Sequence, residues 1–353
     1  MLNDKTVLIT GITGSLGKAL VRRILSGEMG MPKKIIGLSR DEAKQHQMRV
    51  EYMNRRAVTD EVIYQNFSQR LEFRIGDVRD FHSVASALRT ADIVFNAAAM
   101  KQVPTCEYFP YEAVLTNISG PQNICRAILE HNLPVELVIG ISTDKACKPV
   151  NVMGMTKAMQ ERIFTTANVN SPNTRFSCVR YGNVLASRGS VVPLFLYQIR
   201  SGGPVTITTE TMTRFLLSLE DAVDVVFESV RKGKRGETYI PRVPAALMVD
   251  LARVLIGDRK IETKVTGIRP GEKVHEILVS EEECQRTFRR DDYYVIAPIL
   301  PELSESPAAI QTCFDGEYSS ADNLISVDGL RDLLGKNGLL DFEALSEEDE
   351  VLR

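Results

Sequence analysis

Short apolar runs alternate with longer amphipathic stretches through the first half of the chain. The runs are Thr6–Thr10, Lys34–Ser39, Leu71–Ile75, Asp92–Ala98, Val135–Ser142 and Arg175–Val179. Each is short, rich in β-branched residues and bounded by Gly, Asp, Ser or Asn. Runs of this kind read as buried strands, and the helical stretches between them as crossovers. The pattern predicts an α/β fold: a doubly wound parallel sheet that receives ligands at the carboxyl ends of its strands. After Tyr181 the alternation lapses. Gly182–Gly203 reads as loop with a helix over Val192–Arg200. A helix over Leu219–Lys232, a strand over Thr238–Pro241 and a helix over Ala246–Leu255 follow, then short elements and polar loops. The expected division is a sheet domain over 1–180, with later segments adding to its sheet, and a smaller mixed α/β lobe with a C-terminal extension over 181–353.

Length agrees with this division, since 353 residues suffice for one large α/β domain and a lesser one. The chain is 44% hydrophobic and 25% charged, as in soluble globular proteins. A net charge of −3 carries no basic footprint for nucleic acid. The six cysteines form no C-x-x-C pair and read as separate reduced thiols of a cytoplasmic protein. The four histidines, at 46, 82, 131 and 275, show no metal-ligand spacing, so no metal is expected. The first residues lack a signal-peptide pattern, and no run of about 18 apolar residues suggests a membrane span. The acidic stretch Glu347–Glu350 reads as a solvated end.

Chemistry enters at the first strand. Gly11, Gly14 and Gly17 give G-x-x-G-x-x-G after an apolar strand and before a helical pattern, with Thr13, Ser15 and Leu16 between them. Glycines let the backbone turn tightly beside a pyrophosphate, and the helix N-terminus offers free N–H groups to its charge. The sheet is therefore expected to be Rossmann-like. The second strand ends in Ser39-Arg40 rather than in the Asp or Glu that accepts from an NAD ribose. Ser39 leaves room for a 2′-phosphate and Arg40 can pair with it, which favours NADP over NAD. The alternative for Arg40 is a surface residue at a helix start, where Asp41 and Glu42 suit the dipole. Asp77-Val78 closes the third strand, where Asp77 can accept from the adenine amine. Ala97, Ala98 and Ala99 close the fourth, small enough to let a dinucleotide pass close to the sheet.

A family resemblance rests on several segments together. Asn96-Ala97-Ala98-Ala99-Met100-Lys101-Gln102-Val103-Pro104 resembles a segment of the nucleotide-sugar 4,6-dehydratases, which belong to the extended short-chain dehydrogenase/reductases and make bacterial capsule, O-antigen and flagellin sugars. The likeness continues through Ser142-Thr143-Asp144-Lys145-Ala146, Pro149-Val150-Asn151, Arg180-Tyr181-Gly182-Asn183-Val184, Ala186-Ser187-Arg188-Gly189-Ser190, Met212-Thr213-Arg214-Phe215 and Gly267–Lys273. It covers Thr6 to about Glu276, with a weaker echo at Glu317–Ser320. In place of the usual Tyr-x-x-x-Lys stands Met153-Gly154-Met155-Thr156-Lys157. Met cannot exchange a proton, and in this the chain is similar to a capsule-biosynthesis subgroup of dehydratase/5-epimerases.

The resemblance implies UDP-N-acetylglucosamine as substrate, a 4-keto-6-deoxy product with C5 either kept or inverted, and a homo-oligomer such as a hexamer. The reaction needs a base at the C4 hydroxyl, a base at C5 and an acid for the C6 hydroxyl. Lys145 is the expected C5 base, with its pKa lowered by NADP⁺ and a second Lys so that it is neutral near pH 7. Asp144, if burial keeps it protonated, is the acid. Thr143 bonds the C4 oxygen, and with Met153 inert Lys145 serves C4 as well. Lys157 holds the nicotinamide ribose. Lys101, Arg188, Arg214 and Arg269 match positions for nucleotide, sugar or pyrophosphate contacts, and Lys101 also borders the cofactor. Asn183 reads the sugar or its N-acetyl group, and Glu272 takes a ribose hydroxyl. Ser187, Gly189, Ser190 and Val191 complete the substrate set, and His275 lies beside them in sequence. Two other readings stay open: a UDP-sugar 4-epimerase, which needs no C5 base, and a non-catalytic NADP-binding protein.

Overall fold

The structure is a computed structural model that describes residues 1–54, 69–185, 190–304 and 311–340. Its centre is a nine-stranded sheet built from β1 (Thr6–Thr10), β2 (Lys34–Ser39), β3 (Leu71–Ile75), β4 (Ile93–Asn96), β5 (Leu137–Thr143), β6 (Arg175–Tyr181), β7 (Thr238–Pro241), β8 (Thr287–Arg290) and β9 (Tyr293–Ile296). The order is 8-9-7-6-5-4-1-2-3. From β3 to β7 the pairing is parallel, and β9 turns it antiparallel. The winding reverses between β1 and β4. At that switch the crossovers leave in opposite directions and open a crevice above the strand ends. The fold is the Rossmann-like one that the strand pattern predicts.

Apolar faces explain the layers. β1, β4, β5 and β6 are buried throughout or nearly so, as parallel strands covered on both sides must be. One face packs against α1 (Ser15–Leu25) and, further along the chain, Leu219–Lys232. The other packs against helices over Phe81–Leu88, Gly120–Glu130 and Val152–Asn170. A separate core fills the lobe, where helices Val191–Arg200, Met248–Ile256 and Val327–Lys336 share buried Leu, Ile and Val. The lobe is tied to the sheet where Asn183–Val184, just past β6, pairs with Thr213–Leu217.

Four local expectations change. The run Asp92–Ala98 yields a strand only over Ile93–Asn96. Thr10 Oγ1 donates to Asn96 Oδ1 (2.9 Å) and accepts from Ala98 N (3.1 Å), which turns 97–99 out of the ladder toward the crevice. The run Val135–Ser142 gives β5 two residues later, at Leu137–Thr143, and β6 continues to Tyr181 beside it. The helix expected over Ala246–Leu255 is divided. Ala245–Leu247 pairs with Thr213–Leu217 and the helix starts at Met248, so cross-strand bonds override helical periodicity. The β8–β9 hairpin lies within a stretch read only as short elements. No helix among the described residues is long and apolar enough to cross a membrane, and these residues hold no His/Cys/Asp/Glu cluster fit for a metal.

Candidate active site

A cavity of about 870 Å³ occupies the crevice. Its cofactor-side wall is the glycine loop. Gly11 has φ +67°, and a Cβ there would sit 2.8 Å from the Ala98 backbone, so this position has no room for a side chain. The N-terminus of α1 has no side-chain cap, which leaves its N–H groups open to a diphosphate. Thr13, Gly14, Ser15, Leu16 and Gly17 line this end, and Ser39, Arg40, Asp77, Val78, Ala97, Ala98 and Lys101 continue the wall. The chain therefore has the cradle that a dinucleotide requires. Burial alone would raise the Asp77 carboxyl, but Arg79 overrides it and holds it below the ordinary range. Arg79 Nη2 stands 2.7 Å from Asp77 Oδ2, and Arg40 Nη1 stands 3.7 Å from the same oxygen. Lys44, which the sequence reading passes over, also reaches this corner, 2.7 Å from Asp41.

The reactive end lies where β5 stops. Thr143 Oγ1 accepts from Lys145 N and turns Asp144–Ala146 into one short 3-10 turn. The helix Val152–Asn170 then starts at Asn151, whose side chain accepts from Gly154 N (2.7 Å). Gly154 lies against the Lys145 carbonyl so closely that any Cβ would overlap it. This contact sets Met153 and Lys157, one helical turn apart, against the same cavity. Met153 is buried beside Cys106 and Ala113.

Lys145 Nζ meets three acceptors: Asp144 Oδ1 at 3.0 Å, Glu276 Oε1 at 3.2 Å and Asn183 Oδ1 at 3.3 Å. Burial alone would lower its pKa. The charges of Asp144 and Glu276 outweigh burial, and with Arg214 opposing them the ammonium is still held above its ordinary value. The lowered Lys145 pKa expected from sequence is therefore corrected, because both carboxylates stabilise the cation. Burial pushes the Asp144 carboxyl up against the pull of Lys145, with Glu276 adding to the push, so the protonated acid gains ground as expected. Asp144 is fully buried and lies outside the cavity lining, whereas Thr143 and Lys145 line the cavity. Asp144 thus meets the cavity through two hydrogen bonds, from Thr143 Oγ1 (2.8 Å) and from Lys145 Nζ.

Lys157 behaves differently. It is buried with no carboxylate at salt-bridge distance among the described residues, donates to Gln160 Oε1 (2.6 Å), and is pushed down to about 8 by burial. Beside it runs one π-helical turn, Leu115–Ser119, a distortion frequent at functional sites. Its fully buried Asn117 accepts from Met100 N (2.8 Å) and donates to Met100 O (2.9 Å) and Thr156 Oγ1 (3.0 Å). That side chain pins the Ala99–Lys101 wall to the helix that carries Lys157. Tyr181 lines the cavity too, its phenol raised by burial.

On the lobe side, Asn183, Ser190, Val191, Arg214, Arg269 and Glu272 all border the same cavity. Ser187, Arg188 and Gly189 lie outside the described residues. Arg214 is partly committed: Nη1 donates to the carbonyls of Thr213 (2.7 Å) and Val274 (3.0 Å), and Nη2 to that of Lys273 (3.0 Å). His275 is tied by Nδ1 to Thr213 Oγ1 (2.8 Å) and is absent from the lining, which suits a structural role. Sequence reasoning misses Glu276, Asn117 and Lys44 as site residues. A signal for Glu276 exists, since it is a charge directly before the apolar strand Ile277–Val279. Asn117 gives none, because Asn mid-helix looks like any surface residue.

Comparison with known proteins places this geometry. The family model described as "Polysaccharide biosynthesis protein" matches residues 7–298. A curated relative, the UDP-glucose 4-epimerase of Rickettsia conorii (strain ATCC VR-613 / Malish 7), is 45% identical over 301 residues, 84% of each chain. The protein of the same name from Rickettsia massiliae (strain Mtu5) is 44% identical over the same span. Among solved structures, Pen from Bacillus thuringiensis is 35% identical, covers 96% of this chain and 99% of its own, and superposes with a TM-score of 0.85. DesIV, a dTDP-glucose 4,6-dehydratase from Streptomyces venezuelae with NAD and TYD bound, is 19% identical with a TM-score of 0.65 and covers 95% of this chain and 99% of its own, a likeness of fold.

Proposed function

The chain belongs to the polysaccharide biosynthesis protein family, and from that premise we propose that it is a nucleotide-sugar 4,6-dehydratase. We take its substrate to be UDP-N-acetylglucosamine and its cofactor NADP. The observation that carries the reading is the group around Lys145: one amine between Asp144 and Glu276, with Thr143 beside it, on the wall of the same cavity as the glycine loop. A 4-epimerase needs one group to take and return the C4 hydroxyl proton. A dehydratase must also remove the C5 proton and protonate the leaving C6 hydroxyl, and this site has ionisable groups to spare.

The glycine loop, Ser39 and Arg40 would hold the dinucleotide, and Lys157 its nicotinamide ribose. A bound nicotinamide would supply a hydride acceptor for C4 and a hydride donor for C6. The residues move the protons. Lys145, its resting proton released to water, would take the C4 hydroxyl proton, pass it to Asp144 3.0 Å away, and then take the C5 proton, which the C4 ketone has made acidic. Asp144 passes its proton to Thr143 Oγ1 as the Thr143 hydroxyl gives its own to the departing C6 oxygen, and water leaves. Lys145 is then an ammonium beside an Asp144 carboxylate 3.0 Å away, and the return of its proton to C5 as C6 regains hydride leaves both groups as they began. Lys101, Arg269 and the free donors of Arg214 would face the substrate diphosphate, with Asn183 at the sugar and Glu272 at its nucleoside.

A 4-epimerase is the second reading, favoured by the names of the Rickettsia relatives. Mass spectrometry of the product of UDP-N-acetylglucosamine separates them. The dehydratase reading expects loss of one water, and an isomer of unchanged mass would support the epimerase.

A further inference from the structure

One buried carboxylate has no part in the proton path above. Glu276 is 1% exposed, lines the cavity, and leaves Oε2 without a hydrogen-bond partner. Its backbone is fixed from behind, with Glu276 N donating to Ser320 Oγ (2.9 Å). Its Oε1 lies 3.2 Å from Lys145 Nζ and 3.8 Å from Arg214 Nε. Ionising a carboxylate at such depth is costly unless a cation compensates. Arg214 answers only at the longer distance, with three of its donors spent on carbonyls. Lys145 is thus the close counter-ion. We infer that Glu276 is a positioning residue for Lys145: it holds Nζ at the cavity floor and supplies the counter-charge that keeps this amine protonated.

The inference rests on the reading of Lys145 as the base. The charged groups that act on Glu276 come from three segments: Lys145 from the turn after β5, Arg214 from Thr213–Leu217, and Lys273 from the approach to Glu276 itself, while Glu276 in turn acts on Asp144. Burial would raise Glu276, yet Lys145, Arg214 and Lys273 together hold it below its ordinary range, so it stays ionised. Asp144 is the weaker anchor, since burial drives it toward the neutral acid. With Asp144 neutral, Glu276 is the anion that remains beside Lys145.

The test uses the full chain labelled with ¹³C at lysine Cε, the Lys145 signal being identified by its loss in Lys145→Ala. In the wild-type chain the signal is expected to titrate above the ordinary lysine value of 10.5. In Glu276→Gln the midpoint should fall by about 1–3 pH units, the effect of removing an opposite charge at this distance. Glu276→Asp keeps the charge and should stay nearer wild type than Gln does. Equal midpoints in wild type and Glu276→Gln would overturn the inference. So would a wild-type midpoint below 10.5, which decides the matter even if the Gln variant does not fold. A second arm follows the acid limb of C5 deuterium exchange, which should move down with the midpoint in Glu276→Gln. Exchange that persists in Lys145→Ala would remove the reading of Lys145 as base while leaving the measured Glu276–Lys145 coupling intact.

Discussion

At the scale of single residues, Lys145 and Met153 carry opposite expectations. Met153 fills a wall beside Cys106 and Ala113 and has no proton to exchange, so Met153→Ala should lower turnover only modestly. Lys145→Ala should lower it by roughly 10²–10⁴-fold, the usual worth of a general base. Steady-state assays of the two variants decide it, and near-normal turnover in Lys145→Ala would contradict the assignment. Lys157 makes a separate prediction about stability. Its folded value of about 8 lies below the ordinary 10.5. The folded chain therefore binds its proton less firmly than the unfolded chain, and this cost is fully present below about pH 8. It fades as pH rises toward 10.5, where the unfolded chain also gives up the proton. Two to three pKa units correspond to about 3 kcal/mol at neutral pH. Lys157→Met should raise the melting temperature at pH 7 and lose that advantage near pH 10.5, while weakening cofactor binding. An equal shift at both pH values would contradict it. The place of Lys145 was legible in Thr143-Asp144-Lys145, but its charge state was not, because Glu276 reaches it from a distant part of the chain.

At the scale of elements, legibility followed how local the deciding force is. β1, β2 and β7 have the bounds that their apolar runs suggest, since burial on two faces selects the residues directly, and β3 keeps its bounds too although it is a half-buried edge strand. The strand Ala245–Leu247 and the β8–β9 hairpin were not legible, because they exist through pairing with distant strands. The π turn at Leu115–Ser119 belongs to the same class. Its Asn117 holds Met100 and Thr156 at once, and no periodicity encodes that link. Asn117→Ala would leave the Met100 backbone groups without their partner, at about 1–3 kcal/mol for a buried group. Titration of the dinucleotide by fluorescence should then show about tenfold weaker binding or more, with the circular dichroism unchanged. Unaltered affinity would mean that the Met100 wall does not depend on Asn117.

At the scale of the molecule, the sheet domain supplies the glycine loop and the Lys145 turn, and the lobe brings Arg214, Arg269 and Glu276 to the facing wall. Tyr108 and Tyr111 stand exposed on two short helices packed against the one that carries Lys157, Phe109 is exposed between them, and Met155 and Met159 are exposed on that helix. Large exposed side chains in one region suit contact between copies, and the homo-oligomer expected from sequence remains a proposal. Light scattering at micromolar concentration should give a mass above 39.4 kDa, and a monomer throughout would contradict it. In the function proposed above, this cavity removes water across C5 and C6 of a UDP-sugar, with Lys145 moving the C5 proton. The most direct measurement is proton NMR and mass spectrometry of the product formed from UDP-N-acetylglucosamine in deuterated water. The expected product is a 4-keto-6-deoxy sugar that has lost one water and carries deuterium at C5. A product of unchanged composition, epimerised at C4 with its C5 proton retained, would contradict it.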